Sequence, residues 1–437
     1  MVYFKIIQLA IKNVMSSRKK TLAAILSVAS GFIALNLFEA YIFDTNILFD
    51  RTYENRSMYG DLLIRKESRL DNTTIEEQGP IDSFLKEHSG QIDVGVPFLN
   101  FSGALNTGSL QIIFSGVGYD PEMGRRMRDP YWGWNTLAGA PLDDAFKQSS
   151  ATDHIIVVGR RLAEIIGCSE DENYHPKINK NGYEAKNRTF HCEHKSVQIS
   201  LMTETGQINA AEVEIVGIVD GVFSDLDQRL IMAPLSLVQN LMKTKSLSMT
   251  SIRLKNKSDI PTLISQFKYV QAKVPALHLK SWRNFDIGDF YIKSIDFLFV
   301  FRNFITVVVI FIGTLSVVTT FYRLVFERTR EIGTLLSLGF RAQHIFILFL
   351  SESFFLSFFG VLIGVFLSYF LALIINAIEI PYKLGMLSDS VAFAMTVSPK
   401  TIVFSTFTLI LISLLACAFP VRRALSMKVS DALRDSD

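Results

Sequence analysis

Five side chains capable of chemistry gather in one stretch of this chain: Cys168, His175, His191, Cys192 and His194, the last three within His191-Cys192-Glu193-His194. Cysteine and histidine are zinc's usual ligands, so a metal site is one reading, although the spacing matches no standard zinc pattern. Free thiols are a second. A Cys168–Cys192 disulfide is the third, and an oxidising outer compartment favours it. That bond would close a loop of about 25 residues and pin a polar, strand-poor insert over Ser169–Lys186, at roughly 3 kcal/mol in the chain-entropy account. We assign no metal ligand. Cys417 lies in an apolar run and reads as inert packing.

Other chemistries lack their residues. The sequence has no Gly-Lys dipeptide and therefore no phosphate-binding loop of the G-x-x-x-x-G-K-[ST] type. It has no H-E-x-x-H zinc helix and no G-x-S-x-G nucleophile elbow. No enzymatic activity and no cofactor are expected of this chain itself. If ATP drives it, another chain binds the nucleotide. One carboxylate stands out by position: Glu352 lies about eight residues, roughly 12 Å, inside an apolar segment. A carboxylate there must face a protein partner or a wet cavity, either as a functional group or as a hydrogen-bonded packing residue.

The elements that carry these residues follow from composition. The 437 residues are 49% hydrophobic and 20% charged, include 35 Phe, and carry a net charge of +2. A near-neutral balance excludes a strongly basic nucleic-acid binder and an acidic disordered tail. Four segments reach the roughly 20 apolar residues a bilayer requires: 21–43, 297–326, 345–378 and 401–419. Between the first two lies a polar stretch over 44–295 that holds every His except His344.

Charge orients the spans. Lys5, Lys12, Arg18, Lys19 and Lys20 precede the first, Arg323, Arg328, Arg330 and Arg341 lie between the second and third, and Arg422, Arg423, Lys428 and Arg434 follow the fourth. The segment 379–400 has only Lys383 and Lys400. The positive-inside rule puts both termini and 327–343 in the cytoplasm, with 44–295 and 379–400 outside. The length of the first apolar segment favours an uncleaved anchor over a signal peptide. Within 1–20, the helical spacing of Phe4, Ile7, Ile11 and Val14 fits an elbow helix in the inner interface, and equally an extension of the first span.

Strand patterns occur at Leu110–Gly116, His154–Val158, Val197–Leu201, Val213–Val219, Ser251–Leu254 and Leu277–Lys280. Helical patterns occur at Arg160–Ile166, Pro234–Met242 and Pro261–Lys273. The fold class expected is an α-helical membrane protein with four transmembrane helices and a large extracytoplasmic α+β domain of one or two lobes.

The second span runs into Glu327-Arg328-Thr329-Arg330-Glu331-Ile332-Gly333-Thr334-Leu335-Leu336-Ser337-Leu338-Gly339-Phe340, and the third carries Ser351-Glu352-Ser353 and Gly360-x-x-x-Gly364. By itself this is a charged turn leaving the membrane and an apolar helix stopped at Gly339. The order of these residues resembles the permease subunits of the MacB/LolC–LolE/FtsX superfamily of ABC transporters. The tail Pro420-Val421-Arg422-Arg423-Ala424 and Val429-Ser430-Asp431-Ala432-Leu433-Arg434 is similar to that family's ending, with Val429 where Pro is frequent. Val157-Val158-Gly159-Arg160-Arg161-Leu162-Ala163 and Gly217-Ile218-Val219 with Asp225-Leu226-Asp227 are similar to its ectodomain strands, a MacB-like periplasmic core.

The resemblance implies an inner-membrane permease that pairs with a second, identical or homologous permease and rests on a separate ATPase dimer, which holds ATP and Mg. It implies a coupling helix whose Glu327, Arg328, Arg330, Glu331, Ile332, Leu335, Leu336, Leu338 and Gly339 meet the ATPase. The size of the outer domain and the lack of a fused ATPase are similar to lipoprotein-releasing subunits. MacB-like export through a periplasmic adaptor and FtsX-like signalling to cell-wall hydrolases are the alternatives.

Overall fold

The computed structural model describes residues 2–16, 18–67, 74–128, 136–140, 142, 144–145, 154–170, 178–179, 182–183, 189–221, 223–382, 388 and 391–426. His175, Lys383, most of the Ser169–Lys186 insert and the 427–437 part of the tail lie outside these. The chain divides into two compact units, 1–46 with 295–378 and 394–437, and 47–294 with 379–393.

The first unit is helical. Three of its helices contain segments long and apolar enough to cross a membrane: Thr21–Arg56, Ala342–Ile378 and Pro399–Leu425. A fourth helix, Asp286–Glu327, is 42 residues long, and its apolar segment among the described residues is the shorter Phe299–Ile312. The first and third long helices approach closely where glycine removes the side chain. A Cβ on Gly360 would stand 2.7 Å from the Val28 side chain, and one on Gly364 would stand 2.8 Å from the Phe32 ring. Small residues at four-residue spacing allow this backbone approach, which in lipid has no hydrophobic driving force behind it. Phe32, Phe349, Leu409 and Val421 share the resulting core.

The N-terminal helix, Val2–Ser16, buries Ile6, Ala10 and Val14, while Ile7, Leu9 and Ile11 remain exposed. Of the stripe read in the sequence, Val14 is buried, whereas Ile7 and Ile11 form an outward apolar edge.

The second unit is a mixed α+β fold. Among the described residues, ten strands form one sheet. Six of them close a ring in the order Ile92–Asn106, Gln111–Tyr119, Leu230–Pro234, Ile155–Gly159, Ile208–Val219 and Ser196–Met202, which pairs back onto the first. Closure needs close backbone approach at Gly103, opposite Leu201, where a Cβ would lie 2.1 Å from the Ser200 carbonyl oxygen. Alternation on Ser196–Met202 sends Val197, Ile199 and Leu201 into the core, as the period of two requires.

The N-terminal half of Ile92–Asn106 continues into a second lobe through Met249–Leu254, Leu62–Lys66 and Leu277–Lys280. Helices Gly79–Glu87, Ile260–Gln266 and Lys268–Lys273 cover this lobe with Phe84, Leu263, Phe267 and Val270. Two boundaries differ from the sequence reading. Pro234 ends a strand, and its helix begins at Leu235. The Pro261–Lys273 pattern is two short helices that meet at Phe267.

Candidate functional site

The helix Thr329–Ser337 follows Asp286–Glu327 after a break at Arg328, whose φ of −106° and ψ of 12° leave the helical region. It ends in a Schellman motif. Phe340 N–H donates to the Leu335 carbonyl at 3.1 Å and Gly339 N–H to that of Leu336 at 3.0 Å. Gly339 has φ of +87°, a conformation glycine adopts without the Cβ penalty. The chain then turns into Ala342–Ile378.

This hairpin presents two faces. Ile332 is 1% exposed and belongs to the helical core, against which Leu335 and Leu336 also pack. Leu338 is 75% exposed, and Phe340, which the sequence reading did not single out, is also exposed. Arg330 and Glu331 are exposed as well, and Glu327 pairs with Arg323 at 3.3 Å, one turn away. Of the residues expected in the coupling helix, Ile332 is buried in the helical core, whereas Arg330, Glu331 and Leu338 are exposed.

Glu352, which is 3% exposed, lies behind the hairpin. Its Oε2 accepts from Arg328 Nη1 at 2.8 Å, and its Oε1 accepts from Asn13 Nδ2 at 2.6 Å. Arg328 Nε also donates to Glu331 at 2.9 Å. A buried carboxylate without partners would be strongly unfavourable, and here two segments satisfy it. Next to it, Ser353 Oγ donates to the Ser413 carbonyl at 3.0 Å, a polar tie to the last long helix.

In the second unit, the segment leaving the first long helix and the segment before Asp286–Glu327 are joined to each other. Thr52–Arg56 forms a π-helical turn. Within it, Tyr53 stacks on Trp282, with centroids 4.6 Å apart and planes 4° from parallel. Arg283 pairs with Asp50 and lies over the Trp282 ring. Arg56 forms a buried ion pair with Asp220, at the end of strand Ile208–Val219. Nearby, the Asp227 carboxylate accepts backbone N–H groups from Gly221 at 2.7 Å, Arg161 at 3.0 Å and Arg160 at 3.2 Å. It thereby caps the helix Arg160–Ile165. Burial pushes the Asp227 carboxyl above the usual carboxylate range, against the pull of those N–H donors.

Cys168 and Cys192 are joined as a disulfide and stand opposite each other on paired strands. Among the described residues, no group of three or more His, Cys, Asp and Glu side chains is placed to hold a metal. Cys417 is a buried free thiol.

Residues 303–429 match the family of FtsX-like permease C-terminal domains. This stretch contains the hairpin, Glu352 and the last two long helices. The chain thus carries a C-terminal segment similar to FtsX-like permeases. No curated protein matches it. Among solved structures, it is similar to the periplasmic region of MacB from Actinobacillus actinomycetemcomitans, at 13% identity over 57% of this chain and 97% of that one, with a TM-score of 0.34. It is also similar to the extracellular domain of the noncanonic ABC-type transporter YknZ from Gram-positive bacteria, at 12% identity over 51% of this chain and 99% of that one, with a TM-score of 0.30.

Proposed function

We propose that this chain is the permease subunit of an ABC transporter whose ATP and Mg are bound by a separate ATPase dimer. The observation that carries the reading is the permease-type hairpin inside the matched region, with Leu338, Phe340, Arg330 and Glu331 exposed at its end. Its mixed apolar and charged surface suits a groove on a soluble partner. The arrangement has four transmembrane helices, the fourth supplied by Asp286–Glu327, with both termini and the hairpin in the cytoplasm. The sheet domain then lies in the periplasm, and a second permease, identical or homologous, pairs with this one in the inner membrane.

Mechanically, closure of the ATPase displaces the hairpin, and the long helices carry the displacement to the outer domain. The joined segments at Tyr53 and Trp282 suit this task, because two entering chains held at one point deliver a common motion. No substrate need cross the bilayer core. The cargo class is a lipoprotein or another hydrophobic substrate taken from the outer leaflet of the inner membrane, a reading supported by the size of the sheet domain, 47–294 with 379–393.

The test is purification of the tagged protein from gently solubilised membranes, with identification of its companions. An ATPase with an acylated protein is the expected result. An ATPase with a periplasmic adaptor would favour MacB-like export, and one with a cell-wall hydrolase FtsX-like signalling. Lipoprotein sorting unchanged on depletion would end the lipoprotein reading.

A further inference from the structure

Glu352 joins segments far apart in the chain, since Asn13 is 339 residues away and Arg328 is 24 away. Each carboxylate oxygen is taken by a different element, one by the N-terminal helix and one by the break before the hairpin helix. Arg328 stands where the direction of Thr329–Ser337 relative to Asp286–Glu327 is set, because its own backbone is the non-helical residue between them. Its guanidinium reaches inward to the buried Glu352 and outward to Glu331, whose side chain is 63% exposed.

A displacement of the hairpin helix must therefore carry Arg328 with it. Either Glu352 and Asn13 follow, taking along Ala342–Ile378 and Val2–Ser16, or a buried ion pair opens. Opening it leaves a charge in a low-dielectric site without a counter-charge, which is the costlier course. Ile332, in the helical core on the same short helix, adds an apolar tie in the same direction.

We infer that Arg328, Glu352 and Asn13 are positioning residues that make the hairpin, the third long helix and the N-terminal helix move as one body when the partner ATPase closes. This rests on the functional reading above and adds to it the element through which displacement leaves the hairpin. Arg328 also donates to Glu331 and Glu352 also accepts from Asn13, so the sign at each position is fixed.

The experiment uses the full-length chain with its ATPase in lipid nanodiscs, with Mg-ATP as the probe. The variants are Glu352→Gln, Arg328→Gln, the softer Asn13→Ala and the charge-conserving Arg328→Lys. Two quantities are read: ATPase retained per permease, and kcat and KM for ATP per retained ATPase. We expect Glu352→Gln and Arg328→Gln to keep the ATPase bound with an unaltered KM while kcat falls roughly 5–150-fold, the usual span of coupling between sites. Asn13→Ala should give a smaller fall, and Arg328→Lys, which keeps a positive charge opposite Glu352, should lose less than Arg328→Gln.

A kcat per bound ATPase equal to wild type in the single variants would overturn the inference, even if less folded protein were obtained. So would an Arg328→Lys variant no better than Arg328→Gln. If the wild-type chain binds no ATPase, the functional reading itself fails, and the inference falls with it.

Discussion

Tyr53 and Trp282 lie face to face, 4.6 Å between centroids, and so fasten the segment that leaves the first long helix to the segment that precedes the second. Both rings are buried, and the Arg283 guanidinium lies 4.5 Å from the Trp282 centroid. The stack, with the Arg283–Asp50 pair beside it, joins two chain passages far apart in the sequence.

Truncating that joint should be costly. Trp282→Ala is expected to destabilise the outer domain by about 3–5 kcal/mol through a large cavity and lost ring contact. Thermal unfolding of the solubilised protein, followed by outer-domain proteolysis, measures this. Trp282→Phe should recover most of the loss.

The glycine seam gives a second expectation. Gly360→Leu and Gly364→Leu would force side chains into Val28 and Phe32, where a Cβ alone already meets atoms at 2.7 Å and 2.8 Å. Overpacking of this kind costs about 1–3 kcal/mol or more. The melting temperature in detergent should fall for both variants, whereas Phe366→Leu, on an exposed position of the same helix, should leave it nearly unchanged.

The disulfide makes a third. In unreduced protein a thiol reagent should find no reactive cysteine, because Cys168 and Cys192 are joined and Cys417 is buried. Reduction should release two reactive thiols. The Cys168→Ser/Cys192→Ser variant should lose about 3 kcal/mol of outer-domain stability in a denaturant titration.

The hairpin supplies a contrast between its two faces. Ile332→Ala removes a buried side chain and should cost about 2–5 kcal/mol of stability. Leu338→Ala and Phe340→Ala act at exposed positions and should change stability by less than about 0.5 kcal/mol while lowering ATPase retention. Loss of folding without loss of retention at Leu338 and Phe340 would reverse the assignment of the faces.

How far the sequence revealed this depended on the range of the signal. Long apolar runs, the Gly339 stop and the strands at Val197–Leu201 and Leu277–Lys280 are local patterns, and each has a counterpart in the structure. The strand Ile92–Asn106 is absent from the sequence reading; it contains Gly95, Pro97 and Gly103, residue types that weaken a strand pattern, although it pairs along its length with two lobes. Glu352 could be marked as an intramembrane carboxylate, but no spacing rule points to Asn13 or Arg328 as its partners. The burial of Ile332 and the exposure of Phe340 depend on which face of a nine-residue helix meets the core, and periodicity alone does not say. The role of Asp227 as a cap on Arg160–Ile165 is likewise non-local, 66 and 67 residues from the groups it accepts.

The central claim, that the hairpin end is where a nucleotide-binding chain attaches, is tested most directly by a photo-crosslinking residue placed at Leu338 in living cells, with a second placed at Ile113. Both positions are 75% exposed, one on the hairpin and one on the outer-domain sheet. The account predicts that Leu338 forms an adduct with a chain carrying a phosphate-binding loop and that Ile113 does not. A folded, membrane-inserted protein that yields no such adduct from Leu338, or yields it from Ile113 instead, would contradict it.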